Sequence, residues 1–305
     1  VRSIGNAFHS PASSAVTPLM VPQDQLTKCA GYNQTMQAAV SLISPAAAAF
    51  LYSVWSLSTI ILLDIIGAVL ACGVVAVLSI PNPPICPGES QNSFFRDMKE
   101  GYFELKKNKG LFALLWIGTA YMFFFMPISA LYPLMSMGYF RGTPTHASIA
   151  EIAFAGGMLA GGILLSVWGG FKNRIFSIGL SVLVMGVSIA ISGLLPTNAF
   201  FIFVICCTVM GLTSPFYGVQ NALFQEQLPP EYLGRVFSLL GSVMSFAMPL
   251  GLLCSGIFAE RIGVEKWFLL CGIGIIAVAV LVFVLPVLRN VDCQSQNSFA
   301  RKSDD

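Results

Sequence analysis

Charge is what this chain has least of. Only 10% of its 305 residues are Asp, Glu, Lys or Arg, where a soluble domain carries about 25%. The shortage excludes a freely soluble globular domain. With 56% hydrophobic residues and a mean hydropathy of +0.78, the chain belongs in a bilayer. Its net charge of +2 is too small to suggest nucleic acid, and the bases are spread among loops. Histidine is nearly absent: His9 and His146 lie far apart. No CxxC pair and no Cys/His cluster occurs, so neither a metal site nor another cofactor is expected. Cys72, Cys206, Cys207, Cys254 and Cys271 sit inside apolar runs, whereas Cys29, Cys86 and Cys293 fall in polar segments. They read as small apolar filler rather than a disulfide framework. No nucleophile motif surrounds any Ser or Cys, which argues against an enzyme. No cleavable signal pattern opens the chain.

What the chain does have is a faint self-match at an offset of about 205 residues. Val21-Pro22-Gln23-Asp24-Gln25-Leu26-Thr27-Lys28 lines up with Leu228-Pro229-Pro230-Glu231-Tyr232-Leu233-Gly234-Arg235. Ser41-Leu42-Ile43-Ser44-Pro45 lines up with Ser245-Phe246-Ala247-Met248-Pro249, and Ser90 to Arg96 with Ser295 to Arg301. Three matches in one order point to two homologous halves. In a hydrophobic chain, parallel halves mark one large class of transporter.

A spanning helix needs about 20 mostly apolar residues. Full spans are expected at 32–54, 57–80, 110–138, 148–168, 174–195, 199–223, 236–259 and 266–288, after a partial helix over 1–20. Four segments follow: the remainder of an N-terminal helical half (1–80), a central linker with an amphipathic helix (81–109), a six-helix C-terminal half (110–288) and a tail (289–305). If the halves are equivalent, about three helices are missing at the front. One set of alternate loops and ends holds Lys28, Arg96, Lys99, Lys106, Lys107, Lys109, Lys172, Arg174, Arg235, Arg289, Arg301 and Lys302. The other set holds only Arg141, Arg261 and Lys266. By the positive-inside rule the linker and the C-terminus are cytoplasmic.

Two parallel halves around a long cytoplasmic loop resemble the major facilitator superfamily. The stretch Arg2-Ser3-Ile4-Gly5-Asn6-Ala7-Phe8-His9-Ser10-Pro11 resembles the fourth-helix region of its macrolide efflux family. So do Gln25 to Tyr32, Asn108 to Leu115 and Glu231 to Leu239. The resemblance covers nearly the whole chain except the tail. It implies an all-α polytopic membrane protein of major facilitator type in a bacterial inner membrane. It further implies export of macrolide-like amphipathic drugs by proton antiport with alternating access. Its partners would be the drug, protons and membrane lipid, and a monomer is expected. The superfamily's loop between helices two and three has a counterpart in Gly169-Gly170-Phe171-Lys172-Asn173-Arg174, which keeps the bases and lacks the acid. Two other readings stay open: a truncated, inactive remnant, or a membrane scaffold that keeps the fold without transport.

An antiporter needs a cavity open to one side at a time and a group whose protonation changes substrate affinity. An ionisable residue at membrane depth is costly and so a functional candidate. Arg2, Asp64 and Glu151 are the candidates for proton coupling. Against each stands a plainer account: an interfacial Arg2, a helix-packing Asp64, and a helix cap in which Ser148 and Glu151 close the start of a helix. Gln34, Gln37 and Ser41 in the fifth helix are candidates for the substrate cavity. Tyr121, Phe124, Phe125 and Met126 in the seventh are others, with Tyr217, Gln220 and Asn221 in the tenth. For each of these, lipid facing or helix packing is the competing account. Asp24 with Lys28 and Glu231 with Arg235 read either as intrahelical pairs or as a cytoplasmic gate. Gly157-Met158-Leu159-Ala160-Gly161 is expected to give close helix packing inside the molecule.

Overall fold

The computed structural model describes residues 16, 20–22, 25–55, 57–77, 94–171 and 173–288. Arg2, Asp24, Lys172 and the tail lie outside the described residues. All regular structure among the described residues is helical: α1 (Leu26–Val54), α2 (Leu57–Val77), α3 (Phe94–Lys107), α4 (Lys109–Pro133), a π-helical turn (Leu134–Tyr139), α5 (Pro144–Trp168), α6 (Arg174–Leu194), α7 (Phe200–Tyr217), α8 (Val219–Gln227), α9 (Pro230–Ile262) and α10 (Val264–Val284).

Among the described residues, six stretches are long and apolar enough to cross a membrane: Lys109–Tyr139, Thr145–Trp168, Arg174–Leu194, Phe200–Gln227, Tyr232–Ile262 and Val264–Val284. Helices α1 and α2 stand where the first two full spans are expected. Backbone amides have no water partners in hydrocarbon, so apolar stretches of this length satisfy them within helices.

Local chemistry sets the ends. Asn108 starts α4: its Oδ1 accepts from the backbone N–H of Gly110 at 3.2 Å and of Leu111 at 3.3 Å. Asn173 starts α6 in the same way, accepting from Phe176 N–H at 2.6 Å. Both are N-caps that satisfy otherwise orphaned donors.

The start of α5 corrects a sequence expectation. Ser148 and Glu151 do not close it, because the helix begins four residues earlier at Pro144. Proline suits a first helical position, where its missing N–H costs nothing. Thr143 N–H donates to His146 Nδ1 at 3.1 Å, and His146 N–H donates to the Thr143 carbonyl at 2.9 Å. Ser148 and Glu151 are therefore exposed residues inside the helix.

The span expected over 199–223 is present as Phe200–Gln227, with a turn inside it. Helix α7 ends at Tyr217, Gly218 makes a turn, and α8 runs on to Gln227. Pro215 lies in the last turn of α7 and cannot donate to the carbonyl one turn back. At the far end of α4, Pro127 and Pro133 precede the widened π turn.

Small residues decide how the helices meet. A Cβ on Gly157 would overlap the Thr208 carbonyl oxygen, one on Gly161 the Leu212 carbonyl oxygen, and one on Gly211 the Phe154 carbonyl oxygen. Helices α5 and α7 thus interlock through glycines on both sides, as expected for the 157–161 pair. Helix α6 presents Gly179, Gly186 and Gly193 to Phe283, Ile276 and Leu269 of α10. Between these layers, Tyr132, Phe154, Phe203 and Phe268 form an aromatic core with ring centroids 6.1–6.4 Å apart. Helix α1 packs on α5: a Cβ at Gly31 would lie 2.6 Å from Ser166 N, and one at Gly162 2.5 Å from Thr35 Oγ1.

Candidate functional site

Polar side chains gather in two places, a stripe along α1 and a cluster where several helices end. The stripe is Gln34, Gln37 and Ser41, spaced three and four apart and so on one face of α1. Gln37 and Ser41 are exposed and Gln34 is half-buried. The side of α1 that packs on α5 carries Gly31, Thr35 and Ala38 instead. A polar, uncovered stripe on a membrane helix is costly unless it meets water or a ligand.

The stripe leads to the α7–α8 break. Built onto Gly218, a Cβ would sit 3.2 Å from Gln34 Nε2. Two residues on, Gln220 is 2% exposed. Its Nε2 donates to the Leu114 carbonyl at 3.2 Å, while its Oε1 is buried and accepts nothing among the described residues. The structure thus brings Gln34 and Gln220 to the same helix break. Asn221 is exposed, and Tyr217 closes α7.

The second cluster ties α8 down. Arg174 Nη2 donates to Glu226 Oε1 at 2.9 Å, with side chains 14% and 2% exposed. Next to it, Asn108 Nδ2 donates to Gln227 Oε1 at 3.2 Å. The starts of α4 and α6 are therefore both fastened to the end of α8. A charged pair this buried is costly to break, since removing one partner leaves the other's charge buried without its opposite.

The remaining candidates separate. Lys28 is exposed and lays its side chain along Gly169, the left-handed residue (φ +77°) that ends α5. Arg235 Nη1 lies 3.2 Å from Glu100 Oε2 of α3, with its guanidinium 5.8 Å from the Tyr232 ring. Glu231 stands in the first turn of α9 and Asp64 inside α2. In α4, Tyr121 is buried and stacks on Phe125 with centroids 5.3 Å apart. Phe124 turns toward α10, where a Cβ on Gly274 would touch its ring, and Met126 is half-buried. Sequence reasoning overlooked Asn108, Glu226, Gln227 and Glu100. A polar run such as Gln225-Glu226-Gln227 directly after an apolar stretch was the available signal.

Comparison with known proteins gives these features a family. The model of the Major Facilitator Superfamily matches residues 1–252 and again 117–296. Macrolide efflux protein A of Streptococcus pyogenes is 57% identical over 293 residues, covering 96% of this chain and 72% of that protein. A protein of the same name from Enterococcus faecalis is 58% identical over 253 residues, covering 83% and 78%. The multidrug efflux pump Tap of Mycolicibacterium fortuitum is 29% identical over 175 residues, covering 56% and 42%. An all-helical membrane chain with these matches belongs to a family of transporters and not of enzymes: it is a member of the major facilitator superfamily, within the macrolide efflux family.

Proposed function

We propose that this protein exports macrolide-like amphipathic drugs across a bacterial cell membrane. The observation that carries the reading is the 57% identity to a macrolide efflux protein over 96% of the chain. The proposed organisation is a partial N-terminal half over 1–80, a linker over 81–109, a six-helix half over 110–288 and a cytoplasmic tail. Transport then proceeds by alternating access, with the cavity opening to each side in turn.

Several features support this mechanism. The polar stripe Gln34, Gln37 and Ser41 offers hydrogen bonds along an open face. Gln220 offers a buried acceptor at the helix break, beside Tyr217 and Asn221. Tyr121, Phe124, Phe125 and Met126 supply the apolar, polarizable surface that a large hydrophobic cation favours. The bonds of Glu226 with Arg174 and of Gln227 with Asn108 form the gate at the α8 end. Asp24 with Lys28 and Glu231 with Arg235 stay candidates for a cytoplasmic gate on the sequence alone. The excess of bases in the same loops supports a cytoplasmic location for that gate.

Proton antiport drives the cycle in this proposal. Asp64 and Glu151 are its candidate carriers, because an intramembrane carboxyl changes its hydration with each swing of the cavity, and Arg2 is the candidate that stabilises an acidic partner or senses its proton. Exposed on α5 and freed from any role in the helix start, Glu151 is a stronger candidate than its sequence context suggests.

The test is accumulation of a radiolabelled macrolide in a drug-sensitive bacterium expressing the protein. Expression should lower accumulation, and a protonophore should abolish the difference. Asp64→Asn and Glu151→Gln in the same assay identify the carrier. Unchanged accumulation with the protein present in the membrane would overturn the reading.

A further inference from the structure

Helix α3 sorts its charges by side. Two of its three acids turn toward partners: Glu100 meets Arg235 of α9 at 3.2 Å, and Glu104 accepts from Lys107. Gly101 and Leu105 are buried on the α9 side. Their fit is close, since a Cβ on Gly101 would lie 3.0 Å from the Arg235 carbonyl oxygen. The opposite face carries Lys99, Phe103 and Lys106, spaced four and three apart, with Lys107 at its edge. All four are exposed, and Phe103 keeps 52% of its surface open. Lys99 Nζ stands 5.9 Å from the centre of the Phe103 ring.

This face stands next to a helix long and apolar enough to cross the membrane. One residue, Asn108, separates α3 from the membrane-spanning α4, and Asn108 is fastened to Gln227. Headgroups are therefore within reach of α3 wherever α4 enters the bilayer. An aromatic ring among lysines is complementary to an anionic leaflet: the ring enters the acyl boundary while the ammonium groups meet phosphate.

We infer that the Lys99–Phe103–Lys106–Lys107 face of α3 is a binding site for anionic phospholipid headgroups. The occupant is a lipid and not a soluble phosphate, because an exposed phenyl ring has nothing to gain from the latter. Since Gly101 and Glu100 seat the same helix on α9, the bound lipid bears on the start of α9 as well. The inference needs only the membrane location and is independent of what is exported.

Native mass spectrometry of the purified full chain tests it, by counting lipids retained from mixed micelles of phosphatidylglycerol and phosphatidylcholine. The wild type should retain phosphatidylglycerol in preference. Replacing Lys99, Lys106 and Lys107 together by Gln should cut that retention about a hundredfold, given the attraction of each base to an anionic surface. The triple Arg replacement should preserve it, and Phe103→Ala should weaken it several-fold. An Arg141→Gln control, at an exposed base elsewhere, should leave it unchanged. Equal retention by the wild type and the triple Gln variant would overturn the site. So would displacement of the lipid by excess glycerol phosphate, or a Phe103→Ala variant that binds as well as the wild type. A triple Gln variant that fails to purify leaves the Phe103→Ala and glycerol phosphate arms to decide.

Discussion

Arg174 and Glu226 stand 52 positions apart in the chain and 2.9 Å apart in space. Their burial makes the pair costly to break and close to neutral to remove whole. Glu226→Gln should therefore destabilise the protein by about 3 kcal/mol, since the buried Arg174 keeps its charge and loses this carboxylate. Arg174→Gln should cost a similar amount. The double variant should lose clearly less than the sum of the two, because neither leaves a stranded charge. Thermal unfolding in detergent measures all four forms, and strictly additive losses would show that the two side chains do not depend on each other. The pair also marks where sequence reading stops. Local rules recognise acid and base four apart on one helix, so they chose Glu231 with Arg235. Arg235 also meets Glu100, from a helix more than a hundred residues earlier. No spacing rule reaches that far, because the chain folds back between the two.

Elements were far more legible than their partners. Length and hydropathy located the helices, since an apolar run of spanning length has few other stable conformations. The ends were less legible. Thr143 and Pro144 outrank Ser148 as a start because proline fixes its own backbone in helical geometry before any side chain acts. The break at Gly218 was hidden because the apolar run continues through it. Which glycine faces which helix was equally hidden, and here the structure separates two mid-helix glycines that the sequence does not tell apart. Gly211 faces the α5 backbone, whereas a Cβ at Gly156 meets nothing within 4 Å. Gly211→Ala should push α7 off α5 and cost about 1–3 kcal/mol, as overpacking does. Gly156→Ala should be neutral or stabilise by up to about 1 kcal/mol, by removing glycine's extra backbone freedom. Melting temperatures of the two variants in one detergent give the comparison, and equal effects would sink the packing account.

At the scale of the whole molecule, the contact between α1 and α5 is the joint on which the proposed rocking turns. Its close points, Gly31 with Ser166 and Gly162 with Thr35, lie near the start of α1 and the end of α5. The two helices thus touch at the end that also carries Lys28, Gly169 and the α8 fastenings. Glycines at a moving joint let one backbone slide on another without a side chain in the way. A methyl at position 162 would lie 2.5 Å from Thr35 Oγ1 and should hold that end apart. Gly162→Ala should therefore leave the protein in the membrane but reduce macrolide export at least several-fold, by opposing the state in which this end is closed. Adding Thr35→Ala removes the obstructing hydroxyl and should restore part of the export. A general loss of stability would respond differently: the second substitution would then add a further loss. Export by Gly162→Ala at the wild-type rate would mean that this contact does not have to close during the cycle. An uncorrected loss in the double variant would place the damage in the fold rather than in the joint.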